Sequence, residues 1–278
     1  KSHTVIDTSS FIKNKITITN KDNYDEGIYV LADSRQQPLF EILIGKDQKF
    51  SLYVKELMDL KTYKVKGSKE TSDYFEVYSK TAHNQLYMMA LKSELEYFPE
   101  NIYKIDSVKN YLHDYHNSII SKRPDSFLST YVKFIKEVEA PKEYHDNSES
   151  YIMNHYFDDL PLNDNRILNS RLLKNKLDIF FNHYMQSQTP EFICQKIDYL
   201  IEKSSAELRN YILWYLYSKY FNPDNARNEL VFIHLVDNYF SKLEIDNLTD
   251  NIRREIIKRA DVLRKITIGN QAPTLYYT

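Results

Sequence analysis

A chain of 278 residues has room for one large or two modest domains with an ample core. Its formal net charge of −2 argues against an obligate nucleic-acid binder, which carries a strongly basic face. Four glycines are far below the usual ~7%, and neither common glycine-rich phosphate cradle occurs, which argues against a nucleotide-binding α/β enzyme.

Residues 1–67 alternate with period two. Ile16 and Ile18 alternate with Lys15, Thr17 and Thr19; Tyr29 and Leu31 follow, then Phe40, Ile42 and Ile44, then Phe50, Leu52 and Val54, then Tyr63 and Val65. Five short runs parted by turn-forming stretches such as Gly45-Lys46-Asp47 predict a small antiparallel sheet or sandwich with one covered face.

At Gly67-Ser68 the period changes, and residues 68–265 predict a larger all-α domain, giving an α+β chain overall. Ser68 caps a long helix that runs to about Phe98, where Pro99 ends it. Helices are expected over 106–121, with Asp106 as cap, and over 125–138. Pro141 to Ser148 reads as a loop, and a short helix starts at Glu149. From Arg166 the stripes become strong. They comprise Leu172, Leu173, Leu177, Phe180, Phe181 and Tyr184, then Phe192, Ile193, Ile197, Leu200 and Ile201 behind the cap Thr189-Pro190. From Tyr211 to Tyr217 every residue is apolar or aromatic, so this helix must be covered on all sides. Ser204 and Glu207 form its capping box and Asn222-Pro223 its stop. Two further stripes follow. One holds Leu230, Val231, His234, Leu235, Val236, Tyr239 and Phe240, the other Ile252, Ile256, Ile257, Ala260 and Leu263. No apolar run approaches the roughly 20 residues a bilayer requires, and no repeat of fixed period is found.

Chemistry-bearing residues are few. Cys194 is the sole cysteine; in its helical stripe it reads as a small buried hydrophobe, and it fits a reducing compartment or an envelope protein without disulfides. His113 and His116 share a helix face, but spacing supplies no third zinc ligand, so a polar helix surface is the plainer reading. His155, Asp158 and Asp159 have acid–base or ligand-like spacing at a helix end, set against a structural or partner-facing corner. His234 with Asp237 could be an imidazole oriented by a carboxylate, or a satisfied core histidine. Arg253, Arg254, Lys258, Arg259, Arg264 and Lys265 alternate with Glu255 and Asp261 as the solvated face of the last helix, or a surface for an anionic partner.

The tail Ile268-Gly269-Asn270-Gln271-Ala272-Pro273-Thr274-Leu275 resembles the "G-x-x-A-P" opening of thioredoxin-fold redoxin domains. The strand-rich start ending in Gly67-Ser68, with Tyr74-Phe75 after it, resembles the N-terminal domain of TlpA-type thiol–disulfide oxidoreductases of Bacteroidota. The helical part is similar to an uncharacterised domain of the same proteins. The segments that carry this likeness are His155-Tyr156-Phe157-Asp158, Arg166-Ile167-Leu168, Asn175-Lys176-Leu177 and Val231-Phe232-Ile233-His234 with Tyr239. The resemblance implies export to the periplasm or outer-membrane envelope, and it is compatible with a lipid anchor upstream. It also implies that 266–278 are a linker and the first residues of a thioredoxin-fold domain. The catalytic Cys-x-x-Cys of that family has no counterpart here, so the resemblance brings no catalytic, cofactor or metal residues.

Three functions follow as expectations. The first is a non-catalytic module that binds a protein partner or positions the chain's own redoxin domain, mildly favoured by 24 tyrosines and 14 phenylalanines. The second is a hydrolytic or metal-assisted enzyme built on His155, Asp158 and Asp159 or on His113 and His116. The third is a dimerisation module.

Overall fold

The computed structural model describes residues 4–10, 12, 13, 15–19, 22–222 and 226–266. The architecture is α+β, with strands first and helices after them. Two compact units divide the chain, 1–129 and 130–278, and the division falls inside one helix, α3 (Phe127–Ile135).

The first unit holds four strands among the described residues, arranged as two small antiparallel pairs. β1 (Gly27–Ala32) pairs with β2 (Pro38–Ile44) in the register Tyr29↔Ile42, and β3 (Ser51–Tyr53) pairs with β4 (Lys64–Lys66) in the register Leu52↔Val65. The β1–β2 loop is tied by Asp33, whose Oδ1 accepts the amides of Arg35 and Gln37, both at 2.9 Å. Among the described residues the fifth expected run forms no strand. Ile16 and Ile18 are both exposed, and among the described residues the pairing near them is the isolated bridge Ile12↔Lys15. Alternation alone does not make a strand when no neighbour takes up its backbone groups.

Two long helices complete this unit, α1 (Lys69–Ser93) and α2 (Asn101–Lys122). Ser68 caps α1 as expected, its hydroxyl accepting the Thr71 amide at 3.2 Å. Gly67 precedes it at φ +105, a backbone conformation that suits glycine. Thr71 then donates to Leu43 O at 2.9 Å, and Phe75 meets the Tyr63 ring, which in turn meets Phe40. The first turns of α1 thus cover the strands. The helix stops at Ser93, short of Phe98, and α2 starts at Asn101, so Asp106 is an interior residue and not a cap. Asn101, the first residue of α2, is buried, and its side-chain amide bonds Glu94 and Lys104 around the turn.

The second unit is helical. A 3-10 turn (Lys142–Asn147) occupies the expected loop, followed by α4 (Ser148–His155), a second 3-10 turn (Asn165–Asn169) and α5 (Leu172–Ile179), which continues as a π turn, Phe180–Tyr184. α6 (Pro190–Lys203) begins at the Thr189 cap with proline in its first turn. α7 (Ala206–Tyr220) is the apolar helix. Leu208, Ile212, Leu213, Leu216 and Tyr220 are buried, and every residue from Tyr211 to Tyr217 is at least half-buried. Its cap is Ser205, whose hydroxyl accepts the Leu208 amide. Ser204 instead closes α6, donating its hydroxyl to Leu200 O at 2.7 Å. The cap is thus one residue later than expected, and Ser204 with Glu207 is not its capping box.

α8 (Ala226–Leu235), continuing as a π turn Val236–Phe240, touches α6, α7 and α9 (Asp250–Ile266), so the centre of the core is shared between α7 and α8. Trp214 of α7 packs on Phe240 and donates its indole N–H to Asp246 O at 2.9 Å. The proline stop at Pro223 and the redoxin-like tail from Ile268 lie outside the described residues. Among the described residues no helix is long and apolar enough to cross a membrane.

Candidate functional site

The best-formed polar constellation lies at the end of α4. Met153, Tyr156 and Phe157 point into the core, where Phe157 meets the Phe180 ring at 4.6 Å. That burial fixes the helix end and leaves His155 and Asp158 on the outside. His155 Nδ1 lies 2.6 Å from Asp158 Oδ2, and from α6 the Tyr199 hydroxyl donates to Asp158 Oδ1 at 2.8 Å. Lys196, one turn before Tyr199, donates to Asn154 Oδ1 at 2.8 Å, and the Tyr151 ring lies 4.2 Å from the imidazole.

Burial works against the Asp158 carboxylate, but hydrogen bonds from His155 and Tyr199 and the nearby Lys196 charge outweigh it and hold its pKa below the ordinary carboxylate value. An ionised Asp158 accepts the proton on Nδ1 in a hydrogen bond, and no described residue hydrogen-bonds to Nε2. The arrangement supplies an oriented imidazole, one half of an acid–base set. Asp159 is exposed and takes no part in it.

The other candidates divide. His113 and His116 are not a shared surface. His116 is 4% exposed and its Nε2 lies 2.9 Å from Thr81 Oγ1 on α1, so it is a seam residue between α1 and α2. Among the described residues no three His, Cys, Asp or Glu side chains gather as a metal site would require.

His234 is oriented by a carboxylate, but by Asp198 of α6 and not by Asp237. Its Nε2 lies 2.7 Å from Asp198 Oδ1, and Asn238 Nδ2 lies 3.1 Å from its Nδ1. The Tyr239 hydroxyl donates to the same Asp198 oxygen at 2.5 Å. Burial first, then Asp198, pushes the Tyr239 hydroxyl well above its ordinary pKa. Both imidazole nitrogens are engaged, so the group ties α8 to α6 and has no free nitrogen for a substrate. Asp237 is paired with Arg264 instead.

Cys194, one turn before Asp198, is half-buried, and burial followed by the charges of Asp198 and Glu191 raises its thiol to about 12. It is a protonated thiol at neutral pH. The last helix is a solvated face only in part. Arg254, Lys258 and Lys265 are exposed. Arg253 turns inward to donate to Phe240 O at 2.6 Å and Leu243 O at 2.8 Å, closing the π turn after α8.

Three contributors carry no sequence signal. Asp198 and Tyr199 reach their partners across about forty residues. Lys176, 9% exposed, donates to Lys136 O at 3.0 Å and lies 5.0 Å from the Tyr156 ring centre. Its ammonium caps the C-terminal end of α3, and burial, opposed by Glu137, lowers its pKa to about 8. No family model, curated protein or solved structure matches the chain.

Proposed function

We propose that the chain is a non-catalytic module that binds or positions a protein partner, in keeping with its resemblance to the region ahead of the redoxin domain in TlpA-type envelope proteins. One observation carries the reading: apart from His155, the singled-out side chains with chemical capacity are engaged or masked within the fold. Asp198 takes His234 and Tyr239 together, His116 is spent on Thr81, and Cys194 is held as the thiol. The partner is a substrate protein or the chain's own redoxin domain. In a protein-disulfide reduction assay driven by dithiothreitol, the purified chain leaves the background rate unchanged; catalysed reduction would end this reading.

The open Nε2 of His155 favours a second reading, a hydrolase using the His155–Asp158 pair. Activated-ester hydrolysis by the wild type and by His155→Ala separates the two. Equal rates remove the hydrolase, and a large loss in the variant establishes it.

A further inference from the structure

We propose that the closed end of the α1–α2 hairpin is a docking surface for a protein that offers an apolar groove rimmed by lysine or arginine. The inference rests on the binding-module reading and gives that module its surface. The two helices run antiparallel, with Thr81 against His116 midway and Asp73 against Arg123 at the open end. Met88, Leu91, Ile105 and Leu112 fill the seam, with Leu95 and Val108 packed against them.

That seam is complete, yet large apolar side chains remain outside it. Leu86 and Met89 are 66% and 65% exposed, Tyr97 and Tyr103 are each 76% exposed, and Phe98 is also half in solvent. Leu86 and Met89, three residues apart, share a face of α1, and the aromatic three bracket the turn into α2. A single exposed apolar residue is ordinary, but the most exposed ones of this hairpin gather toward its closed end, as at an interaction site. Tyrosine supplies contact area at low entropic cost.

The charges select the occupant. Glu94, Glu96 and Glu100 are exposed around the aromatic turn, with Glu96 next to Tyr97 and Glu100 two residues after Phe98, while Lys92 and Lys104 stand exposed at its margins, leaving three carboxylates against two ammonium groups. The carboxylates closest in sequence to Tyr97 and Phe98 disfavour anionic lipid headgroups at the apolar centre and favour cations on the rim of whatever covers it. A cation-rimmed apolar groove satisfies both parts of the surface.

The probe is a synthetic amphipathic helical peptide of leucine and lysine, with its leucine–glutamate twin and anionic phospholipid vesicles as comparators, titrated against the full chain. Wild type binds the lysine peptide, more weakly as salt rises, and binds neither comparator. Tyr97→Ser with Phe98→Ser weakens binding about tenfold, as does Glu96→Lys with Glu100→Lys, while Met58→Ser, at an exposed site elsewhere, changes nothing. The substituted side chains are exposed, so circular dichroism should show an unaltered fold. Absent peptide binding, binding indifferent to the hairpin variants, vesicle binding that needs Tyr97 and Phe98, or concentration-dependent dimerisation through them would each overturn the proposal. Turnover in the earlier assays ends the binding-module reading and leaves this titration unchanged. Peptide binding blind to the hairpin ends this inference alone.

Discussion

Glu70 and Leu128 are joined across 58 residues of sequence: Glu70 Oε1 accepts the Leu128 amide at 2.8 Å, at the first turn of α3. The carboxylate is buried, and it satisfies a donor that a helix start leaves without an intrahelical partner. Gly45 makes room for it, since a Cβ there would lie 2.2 Å from Glu70 Oε2.

Gly45→Ala should therefore act through Glu70. The added methyl displaces the carboxylate and releases the Leu128 amide, at a cost of about 1–2 kcal/mol. In a Glu70→Ala background the same substitution should cost little, because the atom it meets is gone. Denaturant unfolding of the four variants gives the coupling, and hydrogen exchange at the Leu128 amide reports the bond directly. Additive effects would remove the argument.

Gly67 faces a different constraint. At φ +105 an alanine is strained, and its Cβ would lie 2.6 Å from Lys49 O and 3.1 Å from Phe50 Cα, backbone atoms that cannot swing aside. Gly67→Ala should destabilise by about 2 kcal/mol or more, beyond the ~1 kcal/mol expected for loss of the neighbouring cap in Ser68→Ala. Comparing the two unfolding midpoints checks the order.

Lys176 makes stability depend on alkaline pH. Its folded pKa of about 8 lies below the ordinary lysine value, so the unfolded chain binds more protons between the two. The burden of the buried charge is fully present below pH 8 and is relieved as pH climbs toward the ordinary lysine range, so this residue's contribution rises with pH. Tyr156 and Tyr184, both with raised pKa values, oppose the trend only once unfolded tyrosines ionise near pH 10. Lys176→Met, which removes the charge, should be more stable relative to wild type at pH 7 than at pH 9.5. The change should be on the order of 2 kcal/mol, read from urea unfolding at both pH values. A pH-independent difference would contradict it.

Local chemistry was legible in the sequence, and distant pairing was not. The all-apolar run Tyr211–Tyr217, the Thr189-Pro190 cap and the Ser68 start act within one or two turns, and each is where its pattern places it. The alternation at Ile16 and Ile18 has no partner strand among the described residues, which period two cannot foretell. His234 shows the same limit at the candidate sites. Asp237 is three residues away in sequence, yet Asp198 on another helix is the carboxylate that binds it. Of the triplet at the α4 end, the helix turn brings His155 to Asp158, whereas Tyr199 joins through packing of α6 and Asp159 faces away.

The same α6 surface sets the behaviour of Cys194. With its thiol held at about 12, chiefly by burial and secondarily by Asp198 and Glu191, the thiolate that attacks a disulfide reagent is scarce at pH 8. An aromatic disulfide reagent should modify the native chain on the order of a thousandfold more slowly than the unfolded chain. Asp198→Asn removes one of the two charges and leaves the burial. It should accelerate native modification several-fold while remaining far below the unfolded rate. If Asp198→Asn reached the unfolded rate, the charge and not burial would be the main cause, or the clamp on His234 and Tyr239 would have opened. Exchange at the amides of α8 separates those outcomes, because an opened clamp exposes them and a change of charge alone does not. A native rate equal to the unfolded rate in the wild type would show a reactive thiol, contrary to the occupied, structural role that the geometry gives this face of α6.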